Sequence, residues 1–271
     1  MSVAGKNTLK SVPMTSLDAT EREVRIPRLH DRITEELVIA LVGPLGSGCT
    51  TSFEILKEIL QLEYSYTVHY QRLSQYIEEG ADIVGEVIPS SLDASGRIDK
   101  LQTVGDKLRE ACGHSYLAAK AVENIAKQRY NTGVEKSKEG FSIPISLRHV
   151  HIIDSIKHPE ELKLLRSTYG EIFWLIGVFA PRPVREQRLV SKQSLVMSQQ
   201  NVDREGLNTI IQRDYREKDE HGQQVRDVFC QADFFVRNDQ ENKILLKKSL
   251  ERFLEIIRGA HGAKRSATSP A

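Results

Sequence analysis

Apolar residues recur along this chain at two spacings that take turns. Residues 36–43 read ELVIALVG, an apolar run of strand length that stops at a glycine, the pattern of a strand buried on both faces of a parallel sheet. Directly after it, TTSFEILKEILQL (50–62) sets Phe53, Leu56, Ile59 and Leu60 on one face of a helix. Further strands are predicted at YTVHYQRLS (66–74), RHVHIID (148–154), EIFWLIGVFA (171–180) and ADFFVRN (232–238). Helical patterns lie between them, at 97–130, 159–169, 181–193, 203–229 and 240–258. Strands that alternate with helices need crossover connections, so the expected fold is α/β, three layers with a mainly parallel sheet. NTGVEKSKEGFSIPIS (131–146) reads as a loop.

The ends carry no such pattern. Residues 1–30 are polar and predict a flexible arm, residues 31–258 the folded domain, and GAHGAKRSATSPA (259–271) a disordered tail. With 39% apolar and 28% charged residues in 271, the composition is that of a globular protein. The 38 basic residues nearly cancel the 37 acidic ones, so bulk charge advertises neither nucleic acid nor an anionic membrane as partner. Cys49, Cys112 and Cys230 are widely separated, with no C-x-x-C, which speaks against a disulfide framework or a zinc site and for a reducing, cytoplasmic setting. His114, His149, His151 and His158 show no metal-ligand spacing and read as structural or exposed. No apolar run reaches the ~18 residues of a membrane span.

Chemistry concentrates at GPLGSGCTT (43–51), behind the first strand and ahead of the first helix. It has the glycines and the threonine of a phosphate loop, G-x-x-x-x-G-K-S/T, with Cys49 at the place of the lysine. Gly43, Gly46 and Gly48 let the backbone curl so that the N–H groups of Ser47, Cys49 and their neighbours converge on an anion, and the helix adds its positive end. Thr50 or Thr51 offers a hydroxyl to magnesium. Cys49 delivers no fixed charge to the β- and γ-phosphates, so transfer suffers more than binding. The bland reading is a glycine-rich strand-to-helix turn.

Asp154 ends the strand HVHIID at the edge where open parallel sheets place ligands. It either serves magnesium or substrate, or caps the helix that starts near Pro159. Arg182, Arg185 and Arg188 project from one side of a predicted helix, where they would cover phosphates and replace the missing lysine, or form a solvated basic face. Gln102, Asp106 and Arg109 face either a nucleobase or monophosphate, or simply the polar side of an amphipathic helix.

Several longer segments carry a resemblance: GPLGSGCTT, RIDKLQTVGDKLREACGHSYLAAKAVENI, HVHIIDSIKHPEELKLLRSTYGEIFWLIGVFAPRPVREQRL and GQQVRDVFCQADFFVRND. Together, over about residues 36–258, they resemble the N-terminal P-loop kinase-like domain of the anti-phage dCTP deaminases, bacterial defence proteins in which it precedes a zinc-dependent deaminase domain. ADFFVRND also resembles the closing strand of nucleoside monophosphate kinases. The resemblance implies depletion of deoxycytidine nucleotides during infection, with the chemistry in the other half. The pairing of H-x-E with P-C-x-x-C that holds zinc there is not found in this sequence, so deaminase activity is not expected. What carries over is a nucleotide-binding role for Gly43–Thr51, and with it Asp154, Arg185 and Arg188.

The expectation is therefore a nucleotide sensor or regulator that binds a nucleoside triphosphate or deoxynucleotide with magnesium, Thr50 its protein ligand, working with a deaminase domain or protein. Two other readings stay open. One is an active nucleotide kinase in which magnesium and arginines replace the lysine; the other is a module that recognises a protein or RNA and binds no nucleotide.

Overall fold

The computed structural model describes residues 36–132, 134–136, 142–144, 148–194, 204–215, 221–239 and 243–262. In chain order its elements are β1 (Leu37–Val42), α1 (Cys49–Leu62), β2 (Thr67–Arg72), α2 (Leu73–Glu79), α3 (Ala94–Cys112), α4 (Tyr116–Thr132), β3 (Val134–Lys136) and β4 (Ser142–Pro144). There follow β5 (His149–Asp154), α5 (Pro159–Tyr169), β6 (Phe173–Phe179), α6 (Arg182–Ser194), α7 (Arg204–Tyr215), α8 (Val225–Phe229), β7 (Phe234–Arg237) and α9 (Ile244–Gly262).

The main sheet has five strands in the order β2-β5-β1-β6-β7, every pair parallel. β1 runs through the middle and is buried along its whole length. Its alternation divides the core: Val38, Ala40 and Val42 share a cluster with Leu108, Leu117, Ile125 and Leu165 of α3, α4 and α5. Leu37, Ile39 and Leu41 belong to the opposite cluster, with Phe53 and Leu56 of α1 and Leu250 and Phe253 of α9. This is a three-layer α/β architecture around an all-parallel sheet. Because all five strands point the same way, the loops after β1, β5 and β6 emerge along one edge.

Some elements differ from the sequence pattern. The predicted helix 97–130 is two helices, since Gly113 takes φ +99 and its N–H closes α3 on Arg109 O. The stretch 203–229 becomes α7 and α8. Within the predicted loop 131–146, β3 and β4 pair antiparallel, two strands of three residues each, too short to register as alternation. The run YTVHYQRLS ends as a strand at Arg72 and turns into α2, which is too brief for a helical period to show. α9 continues to Gly262, past the boundary at 258, while the predicted arm (1–30) and the tail from 263 onward lie outside the described residues. Among the described residues no helix is long and apolar enough to cross a membrane.

Candidate functional site

The loop between β1 and α1 turns on a Ser47 N–H donated to Pro44 O at 2.9 Å. Each glycine in it is required by its neighbours. A Cβ at Gly43 would stand 2.3 Å from Ser47 Oγ and 2.5 Å from Val178 O; at Gly46 (φ +83) it would meet Arg185 O at 2.9 Å. At Gly48 (φ +96), the N-cap of α1, it would strike Asn238 Nδ2 at 2.1 Å. No side chain of Gly48 caps α1, so the N–H groups of the first helical turn face the loop as an anion cradle.

Beside the cradle, Asp154 stands at the last position of β5, 5% exposed. Exposed Thr50 donates from Oγ1 to Asp154 Oδ2 at 3.3 Å, Tyr70 OH donates to the same oxygen at 2.5 Å, and Ser155 Oγ holds Oδ1 at 2.9 Å. Burial, followed by the Asp154 charge, raises the Tyr70 phenol well above its ordinary range, which keeps it a neutral donor. The helix-cap reading of Asp154 does not hold, because His158 caps α5 in a capping box with Glu161. A hydroxyl and a carboxylate facing across the cradle suit magnesium, a hard cation that takes oxygen ligands and keeps several waters. Thr50 and Asp154 are the residues that would hold it. Thr51, one position on in α1, is half-buried.

Cys49 is 7% exposed and belongs to the α1 and α9 core cluster. Its Sγ lies 3.6 Å from Ser47 Oγ. Burial pushes the thiol up to about 12, the Asp154 charge adds to the rise, and Lys157 opposes it. A neutral, buried thiol is neither a nucleophile nor a contact for phosphate, so the nucleotide-binding expectation for Cys49 reduces to its backbone N–H.

Arg185 and Arg188 do reach the loop, but on its carbonyl side. Arg185 Nη1 donates to Leu45 O at 3.1 Å, and Arg188 Nη1 donates to Gly46 O and Ser47 O, both at 3.3 Å. These guanidinium groups fix the loop backbone by its carbonyls; the Ser47 N–H, expected to face an anion, is instead spent on Pro44 O. Asn238, missed in the sequence although it directly follows the closing strand, completes the grip by donating from Nδ2 to Ser47 O at 2.8 Å. Arg182 turns away to Glu186 and Asn208.

Two further groups carry no motif. Lys157, in the segment after β5, donates from Nζ to Gly43 O at 3.4 Å and pairs with Asp214 Oδ1 of α7 at 2.5 Å. Asp214 Oδ2 accepts the Leu45 N–H at 2.5 Å. The nucleobase reading of Gln102, Asp106 and Arg109 is not supported by their positions. Arg109 is 1% exposed and grips Glu161 Oε1 through Nε at 3.1 Å and Nη2 at 3.0 Å, while Asp106 accepts from Arg109 and Arg213 and Gln102 donates to Ile210 O. The histidines pair among themselves and with Glu36; among the described residues no group of three or more His, Cys, Asp or Glu could hold a metal. Tyr70 also lines a cavity of about 380 Å³ with Tyr76, Tyr116, Lys120, Asn124 and Lys127.

No family model matches the chain, and no curated protein matches it. Among solved structures it is similar to shikimate kinase from Acinetobacter baumannii in complex with shikimate, at 15% identity and TM-score 0.41 over 82% of this chain and 93% of that one. It is similar too to the Mycobacterium tuberculosis APS kinase CysC in complex with AMPPNP and APS, at 12% identity and TM-score 0.40 over 82% and 98%. A third is Chaetomium thermophilum Kti12 in complex with ADP-AlF3, at 10% identity and TM-score 0.40 over 81% and 98%.

Proposed function

We propose that this chain binds the polyphosphate of a nucleoside triphosphate or deoxynucleotide, with magnesium, through Gly43–Thr51. On this reading it serves as a nucleotide sensor or regulator of the kind found in the regulatory half of the anti-phage dCTP deaminases, in partnership with a deaminase. The observation that carries the binding reading is the Thr50 hydroxyl facing Asp154 at 3.3 Å beside a glycine loop whose three glycines admit no side chain. Thr50 and Asp154 would hold magnesium there, which would supply positive charge against the phosphates. A sensing role is supported by the neutral Cys49: the cradle of N–H groups binds the ground state without a side chain, whereas charge shifting during transfer has no fixed partner at that position. The sequence resemblance over about residues 36–258 supports the link to deoxycytidine nucleotides.

Phosphoryl transfer is favoured by one observation, the cavity beside Tyr70, which is of a size to take an acceptor. Equilibrium binding to a panel of NTPs, dNTPs and monophosphates, with and without magnesium, tests the first reading. We expect magnesium-dependent binding by the parent, weakening of about tenfold or more in Asp154→Asn, the scale of one charged contact, and loss in Gly48→Asp with the melting temperature checked. No binding anywhere in the panel sinks the reading and turns attention to protein or RNA partners. Transfer of label from γ-phosphate to a monophosphate makes the chain a kinase instead.

A further inference from the structure

The charge that position 49 lacks is present on another element. Lys157 lies three residues past Asp154, and its Nζ is 3.4 Å from the carbonyl of Gly43, the first residue of the loop. Its side chain is 16% exposed. Its backbone is held in place, since the Lys157 N–H donates at 2.9 Å to Glu161 Oε2, whose other oxygen is gripped by buried Arg109. The ammonium stands near enough to Cys49 to oppose the rise of its thiol. Its acidic partner Asp214, 1% exposed, shares its two oxygens between Lys157 Nζ and the Leu45 N–H, each at 2.5 Å. A lysine ammonium together with a backbone N–H of a glycine loop is the donor set that a phosphate oxygen takes. Here a carboxylate takes it. That carboxylate comes from α7, which with α6 packs over the loop through Leu189, Leu207 and Ile211 against Leu45.

On the nucleotide-phosphate reading above, we propose that Lys157 is the cation that serves bound phosphate in place of residue 49, and that Asp214 is an internal anion competing with the ligand for Lys157 and the Leu45 N–H. The exchange is charge for charge: a phosphate oxygen entering the loop accepts from Lys157 as Asp214 gives it up, so ligand binding and the seating of α7 on the loop are coupled. A flexible four-carbon stem lets the ammonium follow from one anion to the other. An ion pair that merely ties α7 to the loop would behave differently, because then both partners would support the site.

The test measures affinities of Mg-ATP and of inorganic tripolyphosphate for the parent, Lys157→Met, Lys157→Arg and Asp214→Asn, with melting temperatures alongside. We expect Lys157→Met to weaken both probes by about tenfold or more, the scale of one charge-assisted hydrogen bond. Lys157→Arg should recover part of the loss, and Asp214→Asn should bind both probes several-fold more tightly than the parent. If the parent binds and the two charge-removing variants shift affinity in the same direction or not at all, the pair is a brace and the proposal fails while the nucleotide reading stands. If the parent binds neither probe, both fail together. Should Lys157→Met not fold, Asp214→Asn decides: tighter binding supports the proposal, and unchanged or weaker binding overturns it.

Discussion

Cys49 shows how much one residue's surroundings decide. The motif marks it as a lysine replaced, but its side chain joins the apolar cluster around Leu41 and Phe53 and its thiol is driven up to about 12 by burial. Cys112 and Cys230 are exposed. Since the thiolate is the reacting form, iodoacetamide at about pH 8, near an ordinary thiol pKa, should alkylate Cys112 and Cys230 and leave Cys49 unmodified until urea unfolds the chain. Peptide mass spectrometry reads this directly, and alkylation of native Cys49 at the rate of Cys112 would contradict it. The glycines were legible in the sequence because their spacing is itself the signal. The reason each is a glycine was not, since Val178 and Arg185, two of the groups a Cβ would strike, belong to β6 and α6, and a third, Asn238, directly follows β7.

The paired strands β2 and β5 bring out a property that neither has alone. Their register sets His69 beside His151, with His69 Nε2 3.0 Å from His149 Nδ1. Burial first, then the neighbouring His151 and His149, lowers His69 from 6.5 to about 4, and burial followed by His151 lowers His149 too. The unfolded chain therefore takes up protons at a higher pH than the folded one. By linkage, stability is fully present above about 6.5 and is lost as pH falls from there toward about 4. Glu36 acts in the same sense at lower pH: burial opposes its ionisation, but hydrogen bonds from His151 and Arg129 prevail and lower its pKa. Urea midpoints at about pH 7 and about pH 5, on either side of an ordinary histidine pKa, should differ clearly in the parent and less in His69→Gln. An equal difference in both would remove His69 from the account. The sequence placed β2 and β5 as strands from their apolar runs. It did not pair them, and the spacing of His149 and His151 showed no sign that both would meet His69.

Across the whole molecule, Arg109 and Glu161 join α3 to α5 at 1% and 0% side-chain exposure. Glu161 also takes the N–H groups of Lys157 and His158, so this buried pair fixes the segment that carries Lys157. Removing one partner leaves a buried charge uncompensated, and Arg109→Met should cost about 3–5 kcal/mol in guanidinium denaturation. Lys247→Ala, which breaks a pair at 40% and 58% exposure with Glu58, should cost less than about 1 kcal/mol. Losses of similar size would mean that burial does not set the worth of these pairs.

What the sequence determined by itself is what local periodicity can encode: five apolar strands, the helices between them long enough to show a period, and the glycine-rich strand-loop-helix at residues 37–62. A period of two or of 3.6 tells which face of an element is apolar, and a run of glycines tells where the backbone curls. Neither tells which element a face will meet. Lys157 and Asp214 lie 57 residues apart, Ser47 and Asn238 191 apart, and only the parallel stacking of β5, β1 and β6 brings their loops to one edge. The tertiary structure therefore decided that Arg185 and Arg188 hold the loop by its carbonyls, that Cys49 is core, and that Lys157 from the segment after β5 reaches the loop, because these depend on distances between segments that no local pattern records.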